Sequence, residues 1–245
     1  MIDFVEPQVT LIGHTQLSDD LVPGGVMTNL QMDRQDGATD AETVIEYAGR
    51  SCYRSFHRPN PATREVSDYL ERTLFDQKHF SIAEHVQITV EVTGVSRAWT
   101  HEMVRHRAFK FSQESQRFIN MENFEAVLPP AIRDDWPLET LVEEALSGVA
   151  ETYSRLVDQL LARGKTRKQA REAARAILPN AAATGIVISG DIRSWIFMLD
   201  RRLRPDADAE FQEVAKLMLE AITPVAPAIF EEFANRIEKE IDNEH

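Results

Sequence analysis

Residues 85–93, with the sequence His85-Val86-Gln87-Ile88-Thr89-Val90-Glu91-Val92-Thr93, alternate apolar and polar side chains. Successive side chains of a strand point to opposite faces, so this alternation predicts a strand that is buried on one face only. Gly94 is expected to end the strand, and Ser96 is a suitable N-cap for a helix that extends to about Arg105. The stretch therefore predicts a half-buried strand that is followed closely by a helix.

Helical periodicity dominates on both sides of this strand. Further strands are predicted at residues 8–13 and 181–189, and helices at about residues 40–48, 62–77, 138–162, 166–177, 191–203, 207–221 and 224–241. Asp40 is the expected cap of the first helix, and Gly49 its expected end. Residues 15–40 contain Pro23-Gly24-Gly25 and little periodicity, which predicts a mobile loop. Because strands do not alternate regularly with helices, we expect an α+β fold: a helix-rich single domain over residues 1–245 around a small, mainly antiparallel sheet.

Composition limits the classes of partner and the kinds of site. The formal net charge of −13 argues against a nucleic-acid binder, which normally carries a basic face. No stretch approaches the roughly 20 apolar residues of a membrane span. The first residues also lack a secretory signal, so no membrane partner and a cytoplasmic location are expected. The single cysteine, Cys52, excludes an internal disulfide and a multi-cysteine metal site, and we expect it to be packed at a helix end rather than to act as a nucleophile.

Residues 105–117, Arg105-His106-Arg107-Ala108-Phe109-Lys110-Phe111-Ser112-Gln113-Glu114-Ser115-Gln116-Arg117, reverse the acidic character of the chain. Guanidinium groups present a rigid fork of donors that fits phosphate or carboxylate. If the backbone is extended after the helix, Gln113, Ser115 and Arg117 share a face and could recognise a pyrimidine edge and its phosphate. The other interpretation is a solvated basic loop, which the interleaved Phe109 and Phe111 disfavour, and the residues alone leave both open.

Two further groups of polar residues have simpler explanations. Lys168, Arg171 and Arg175 share one face of a predicted helix, where an anion could bind, although screening by solvent would also explain them. His79 and His85 flank Glu84, but their spacing is not that of a helical zinc motif, so no metal site is predicted. The sequence contains no glycine-rich dinucleotide fingerprint or phosphate loop, so any nucleotide or flavin must be held in another way.

Arg105-His106-Arg107, followed after seven residues by Ser115, resembles the signature of flavin-dependent thymidylate synthases. Further landmarks of that family occur in order: His79-Phe80-Ser81 with Glu84-His85, Lys168-Gln169-Ala170-Arg171, Leu178-Pro179-Asn180, Arg193 and Arg202. The resemblance implies the α+β fold of that family and a homotetramer whose FAD sites lie where subunits meet. It also implies methylation of dUMP to dTMP, with methylenetetrahydrofolate as the carbon donor and NADPH as the reductant.

The resemblance also implies roles for individual residues. FAD would be bound by His79, Ser81, Arg105, His106, Arg107, Glu114, Asp191, Arg193 and Phe197. The substrate would be bound by Glu102, Gln113, Ser115, Gln116, Arg117, Lys168, Arg171, Arg175 and Arg202. Arg202 and Ser115 are the expected catalytic residues, and Ser115 would orient the ligand rather than attack it, since no general base is evident beside it.

Two positions depart from the family pattern. Asp191 stands where many relatives have Asn, and Phe197 stands where a polar residue is usual. Both positions approach the flavin in the family, so these changes could weaken FAD binding or shift its potential. A noncatalytic nucleotide-binding or regulatory protein that retains the anion site is therefore an alternative, and an arginine-rich surface for an acidic protein partner is a weaker one.

Overall fold

The computed structural model describes residues 2–18, 32 and 34–243. Residues 19–31 and 33 of the predicted loop at 15–40 lie outside this part. The strands are β1 (Gln8–His14), β2 (Gln87–Ser96), β3 (Lys110–Gln113) and β4 (Ala183–Asp191). The α-helices are α1 (Asp40–Tyr53), α2 (Val66–Leu70), α3 (Arg97–Met103), α4 (Trp136–Ala162), α5 (Arg167–Ala174), α6 (Ile192–Arg202), α7 (Ala209–Ile222) and α8 (Pro227–Asn243). Within the described part, none of the helices combines the length and hydropathy needed to cross a bilayer.

The four strands form one antiparallel sheet in the order β1-β2-β4-β3. One of the rows of paired residues that cross all four strands joins Leu11 to Val90, Val90 to Ile188, and Ile188 to Phe111. On β2, Ile88, Val90 and Val92 are fully buried, while the alternate residues are exposed or half-buried. The predicted half-buried strand is therefore confirmed, as is the small antiparallel sheet.

Helices cover the buried face of the sheet. The hydrophobic core between the sheet and these helices contains large, fully buried side chains from α1, α6, α7 and α8, namely Ile45, Trp195, Phe211 and Phe230. A second, smaller cluster joins α4 and α5 to the start of the chain through Tyr153, Ala170 and Ile2. Because one face of the sheet carries this core, the loops and helix ends at its margins are available for a site.

Gly94 does not end the second strand, contrary to the prediction. β2 continues to Ser96, with a shift of register between Val92 and Val95. Gly94 has φ +66°, and a Cβ at this position would lie 2.1 Å from the backbone oxygen of Glu6. Glycine is therefore required for a bulge inside the strand. Ser96 caps α3 as predicted, but the helix ends at Met103 rather than near Arg105.

The first helix begins and ends differently from the prediction. Thr39 is the N-cap and forms a capping box, so Asp40 is the first helical residue. The helix continues past Gly49, where a Cβ would lie 2.3 Å from the hydroxyl of Tyr69. Cys52 is exposed in the last turn, so the expectation that it is packed is wrong.

The predicted helix at 62–77 is divided into shorter segments. A 3-10 turn, Pro61–Thr63, precedes α2, and a π-helical turn, Glu71–Asp76, follows it. A second 3-10 helix, Phe80–His85, leads into β2. The apolar spacing predicted the helical character but not these changes of hydrogen-bond pattern, which it does not encode.

A buried group of ion pairs fixes α1 to the segment that follows it. Glu46 Oε1 accepts hydrogen bonds from Arg50 Nε at 2.6 Å and Arg58 Nε at 3.0 Å. Arg50 also donates to the backbone oxygen of Thr63 at 2.7 Å and lies 4.2 Å from the centre of the Tyr69 ring. The side chains of Arg50 and Glu46 are only 2% and 1% exposed. This part of the core therefore depends on mutual neutralisation of buried charges.

Candidate active site

The sheet brings the basic stretch at 105–117 to the start of α6. β3 runs along β4, with Lys110 paired to Ser189, and α6 begins immediately after β4. A Cβ at Gly190 would lie 2.5 Å from the ring of Phe109, so this glycine lets the ring pack against the end of β4. The turn that carries Arg105, His106 and Arg107 is thereby held close to the first turn of α6.

A cavity of about 470 Å³ lies between this turn and α6. Its lining includes His106, Arg107, Phe109, Asp191, Arg193 and Phe197. Arg193 forms an ion pair with Glu84 and lies 5.2 Å from the centre of the Phe197 ring. Phe197 is 46% exposed, so this wall offers both cations and an open aromatic surface.

The two residues that were expected to depart from the family pattern have local roles. Asp191 is the N-cap of α6, and its Oδ1 accepts a hydrogen bond from the backbone N–H of Ser194 at 2.8 Å. Asn could cap the helix in the same way, so the departure preserves the cap. The ring of Phe197 makes an edge contact with the ring of Phe80, with 5.3 Å between the ring centres. An amide or imidazole side chain at position 197 would place a polar group against Phe80 instead.

A second cavity, of about 250 Å³, lies on the other side of His106. It is lined by Arg105, His106, Arg201, Arg202, Asp206 and Ala207. Arg202 Nη1 donates to Glu102 Oε2 at 2.6 Å, and its Nε donates to His106 Nε2 at 3.1 Å. The guanidinium lies 4.3 Å from the centre of the Phe211 ring. Arg202 is therefore held on three sides by an anion, a neutral acceptor and an aromatic face.

The environment of His106 keeps its imidazole uncharged. Burial, and then the positive charges of Arg202 and Arg201, lower the pKa of His106 to about 4. Because Nε2 accepts the hydrogen bond from Arg202, the proton of the neutral ring is on Nδ1. His106 therefore acts here as an acceptor that orients Arg202.

We expect a pH titration to show that His106 stays neutral down to about pH 4. An unfolded histidine takes up its proton near pH 6.5, so between these values the unfolded chain binds more protons and stability falls as pH falls. The His106→Gln variant should lose less stability between pH 6.5 and 4 than the unmodified chain, measured by urea unfolding. An NMR titration midpoint near 6.5 for His106 in the folded protein would contradict the assigned environment.

The end of β3 contacts α3 and β4. Gln113 Nε2 donates to Thr100 Oγ1 at 3.0 Å, and Glu114 Oε2 accepts from the backbone N–H of Gly185 at 3.0 Å. Arg97 Nη1 donates to the backbone oxygen of Glu114 at 3.3 Å. Burial and the nearby charge of Arg175 lower the pKa of Arg97. The guanidinium groups of Arg97 and Arg175 therefore lie near each other beside the end of β3, an arrangement that an anion would stabilise.

Arg117 does not share an extended face with Gln113 and Ser115, contrary to the prediction. β3 ends at Gln113, and residues 116–118 form a turn. Arg117 Nε lies 3.3 Å from Glu172 Oε2 on α5. The turn arises because the backbone N–H of Phe118 bonds to the oxygen of Ser115.

A group of cations surrounds the exposed ring of Phe118. Arg117 and Lys168 lie 5.6 and 5.4 Å from its centre, and Arg171 donates to its backbone oxygen. The Nε atoms of Arg117 and Arg171 are buried, and neither donates a hydrogen bond within the part of the chain that the structure describes. Glu172 is already 3.3 Å from Arg117 Nε, so the concentration of cations around Phe118, rather than a vacant Arg117 Nε, is what could attract an anionic ligand.

Comparison with known proteins assigns the chain to a family. The family described as "Thymidylate synthase complementing protein" matches residues 36–228. The flavin-dependent thymidylate synthase of Mycobacterium tuberculosis strain H37Rv is 41% identical over 205 residues, which cover 80% of this chain and 82% of that protein. The chain belongs to the flavin-dependent thymidylate synthase family. The Mycobacterium marinum enzyme of the same name is 40% identical over 203 residues, with 80% and 81% covered.

A solved structure supports the flavin-dependent thymidylate synthase fold. Thymidylate synthase X from Helicobacter pylori, crystallised with FAD and dUMP, superimposes with a TM-score of 0.65. It is 20% identical in sequence, and the match covers 93% of this chain and 99% of that one. The predicted family, α+β fold and flavin-dependent enzyme of thymidylate synthesis are thus confirmed.

One chain of this flavin-dependent thymidylate synthase does not bring all the predicted residues together. His79 lines a different cavity, of about 270 Å³, and Ser81 is exposed on the 3-10 helix before β2. Ser115 and Gln116 are half-buried in the turn before Phe118. The predicted residues are therefore distributed over several places: the cavity that Arg202 lines, the cavity beside α6, the cations around Phe118 (the Phe118 group) and the edge of β3.

Several residues around the site were not predicted from the sequence. Arg97 lies at the start of the basic segment that also contains residues 105–117, so local charge could have indicated it. Arg201 directly precedes Arg202 and lines the same cavity. Phe211 lies beneath Arg202, but an apolar residue in an amphipathic helix carries no sign of such a contact.

Proposed function

We propose that this chain methylates dUMP to dTMP with FAD as its bound cofactor, methylenetetrahydrofolate as the carbon donor and NADPH as the reductant. The observation that carries the proposal is the position of Arg202, held by Glu102, His106 and Phe211 in a cavity that Arg105 and Arg201 also line. A cytoplasmic location and a single domain over residues 1–245 remain part of the proposal.

The cavity beside α6 fits the chemistry of a flavin nucleotide. Arg107 and Arg193 can meet phosphate oxygens, and Phe109 and Phe197 offer apolar surface to a flat ring. His106 lines this cavity, and we assign it to the same ligand together with Arg105 and with Glu114, which contacts Gly185 just beyond the end of β3. When bound, FAD would supply the hydride that reduces the transferred carbon to a methyl group.

Arg202 fits the role of stabilising charge on the pyrimidine. Its contacts with Glu102 and His106 use Nη1 and Nε, which leaves donors on Nη2 for a ligand. A guanidinium donor beside a uracil carbonyl stabilises the negative charge that develops as C5 becomes nucleophilic. The neutral His106 orients this donor without adding a second charge.

The remaining substrate residues fit a phosphate and the pyrimidine edge. The Phe118 group supplies Arg117, Lys168 and Arg171. The buried Nε atoms of the two arginines make no hydrogen bond among the described residues, and Arg117 Nε lies 3.3 Å from Glu172 Oε2. Gln113, Ser115, Gln116 and Arg175 are proposed to orient the rest of the nucleotide. Ser115 is assigned as an orienting hydroxyl.

The distribution of these residues supports a homotetramer with shared active sites. His79 and Ser81 do not line the cavity beside α6 in one chain. A second subunit that presented its own His79 and Ser81 to this cavity would complete the proposed cofactor site. Light scattering together with a crystal structure of the FAD complex tests this arrangement, and a monomeric active enzyme would contradict it.

The proposed activity is tested first by colour and by oxidation of NADPH. The purified protein should be yellow, with flavin absorbance, and dUMP should accelerate NADPH oxidation under air. A noncatalytic nucleotide-binding protein would be colourless or would bind dUMP without forming dTMP. No response of the FAD-loaded protein to dUMP, and no dTMP after addition of methylenetetrahydrofolate, would refute the proposal.

The Arg117→Ala variant should weaken dUMP binding more than FAD binding. Loss of a charged hydrogen bond typically costs about 1.5–3 kcal/mol, so we expect the Kd for dUMP to rise by about 10–150-fold. Titrations followed by flavin absorbance measure both ligands on one sample. Glu172→Ala, which removes only the ion-pair partner of Arg117, is the matched control, and equal weakening of FAD and dUMP would show that Arg117 serves another ligand.

A further inference from the structure

Glu210, in the first turn of α7, holds the start of α3. Its Oε1 accepts a hydrogen bond from the backbone N–H of Ser96 at 2.7 Å, and its Oε2 accepts one from the Ser96 hydroxyl at 2.6 Å. The same Ser96 oxygen accepts from the backbone N–H of Trp99 at 3.0 Å. The carboxylate thus fixes the residue that caps α3 and orients its hydroxyl.

The short helix that Glu210 anchors carries three contacts of the proposed site. α3 has seven residues, and Arg97, Thr100 and Glu102 lie along it. They contact Glu114, Gln113 and Arg202 respectively. A helix of this length is marginally stable without outside contacts. A small rotation or fraying of α3 would move all three contacts together, because the three side chains are attached to the same short stretch of backbone.

Phe211, the residue after Glu210, contacts both α3 and Arg202. The ring of Phe211 packs on Trp99 of α3 at 5.0 Å and lies beneath Arg202 at 4.3 Å. It also makes an edge contact with His106 at 6.2 Å. Two neighbouring residues of the first turn of α7 therefore contact the site: Glu210 contacts α3, and Phe211 contacts Arg202. Glu102 of α3 and Arg202 also bond to each other.

The electrostatic setting of Glu210 is unfavourable for a carboxylate that has no function. Burial, and the charges of Asp208 and Glu213, raise the pKa of Glu210, while the hydrogen bonds from Ser96 lower it. Its hydrogen bonds among the described residues go to Ser96 rather than to a cation. A glutamate in this position incurs a desolvation penalty, which a role in fixing α3 would explain.

We propose that Glu210 is a positioning residue for thymidylate synthesis, which acts through Ser96 and α3 to orient Glu102 and Arg202 toward the pyrimidine. The proposal rests on the proposed function, since it names what aligns the same site. Glu210 itself contacts neither the cavities nor the Phe118 group in the described part of the chain. Its effect should therefore be seen in substrate affinity rather than in flavin content.

The test compares Glu210→Gln with Glu213→Gln. Glu213 lies on the same helix but pairs with Arg133, so its replacement removes a similar charge without touching Ser96. Loss of one charged hydrogen bond corresponds to about a tenfold change, so Glu210→Gln should raise the KM for dUMP by about that factor and the KM for NADPH by less than about twofold. Glu213→Gln should leave both values unchanged.

A second measurement does not need any substrate. Hydrogen exchange of the backbone amides at residues 97–104 should be faster in Glu210→Gln than in Glu213→Gln. Exchange at the same rate in both variants would overturn the inference, even if the chain had another substrate. Absence of any dUMP response in the unmodified enzyme would instead refute the proposed function, so the two failures are distinguishable.

A milder variant covers the case in which Glu210→Gln does not fold. Ser96→Ala removes the hydroxyl but keeps the backbone N–H that Glu210 also accepts from. By itself, Ser96→Ala should raise the KM for dUMP by several-fold. If Glu210→Gln also folds, the double variant should be less impaired than the product of the two single effects. Multiplicative effects, or an unchanged KM for dUMP in Ser96→Ala, would show that Glu210 does not act through Ser96.

Discussion

Replacement of Arg202 by alanine is expected to lower the rate of dTMP formation by about 10²–10³-fold, the range found when a donor to developing negative charge is removed. The substitution removes the guanidinium that Glu102 and His106 orient, and it leaves the Glu102 carboxylate without that partner. It also removes one of the charges that hold the pKa of His106 at about 4, so this pKa should rise. Single-turnover formation of dTMP and an NMR titration of His106 measure the two effects.

Arg204→Ala is the matched control for this substitution. Arg204 lies just beyond the same helix end and pairs with Asp200 and Glu240, and it does not line either cavity beside His106. The control should retain dTMP formation within about twofold, because partly exposed ion pairs contribute little. If Arg202→Ala keeps more than a tenth of the activity, the charge on the pyrimidine must be stabilised by another residue.

Much of the architecture follows from local pattern. The alternation at 85–93 predicts β2, and the apolar spacing at 138–162 predicts α4, because burial on one face imposes a period on the sequence. Close backbone approaches do not follow from such patterns. The sequence predicts that Gly49 and Gly94 end their elements, whereas the residues that crowd them, Tyr69 and Glu6 respectively, come from distant parts of the chain.

In the site, too, local patterns predict some residues, whereas long-range contacts are not predicted. Arg105, His106 and Arg107 are adjacent in sequence, and a local signature was sufficient to select them. The contact between His106 and Arg202 joins residues 96 positions apart, and no spacing rule predicts it. The prediction for Arg117 was wrong because a turn, not an extended strand, follows Gln113. Long-range packing decides which of several basic residues face one another.

The buried ion pairs of α1 show this limit most clearly. Glu46 and Arg50 are four residues apart in a helix, a spacing that is usual for exposed pairs. The structure instead places both in the core, with Arg58 and the Tyr69 ring around them. An amphipathic pattern assigns charges to the outer face, so sequence alone gives no reason to expect a core that depends on them.

The Glu46→Ala variant should therefore lose far more stability than its spacing suggests. The change leaves the buried guanidinium of Arg50 and that of Arg58 without this carboxylate, and breaking a buried pair costs about 3–5 kcal/mol. For a chain of this size the melting temperature should fall by about 6–20 °C, measured by calorimetry. The control is Glu240→Ala, which breaks an ion pair whose carboxylate is 60% exposed and should cost less than about 1 kcal/mol. If both variants melt within about 3 °C of the unmodified protein, the arginines must reach solvent or another acceptor.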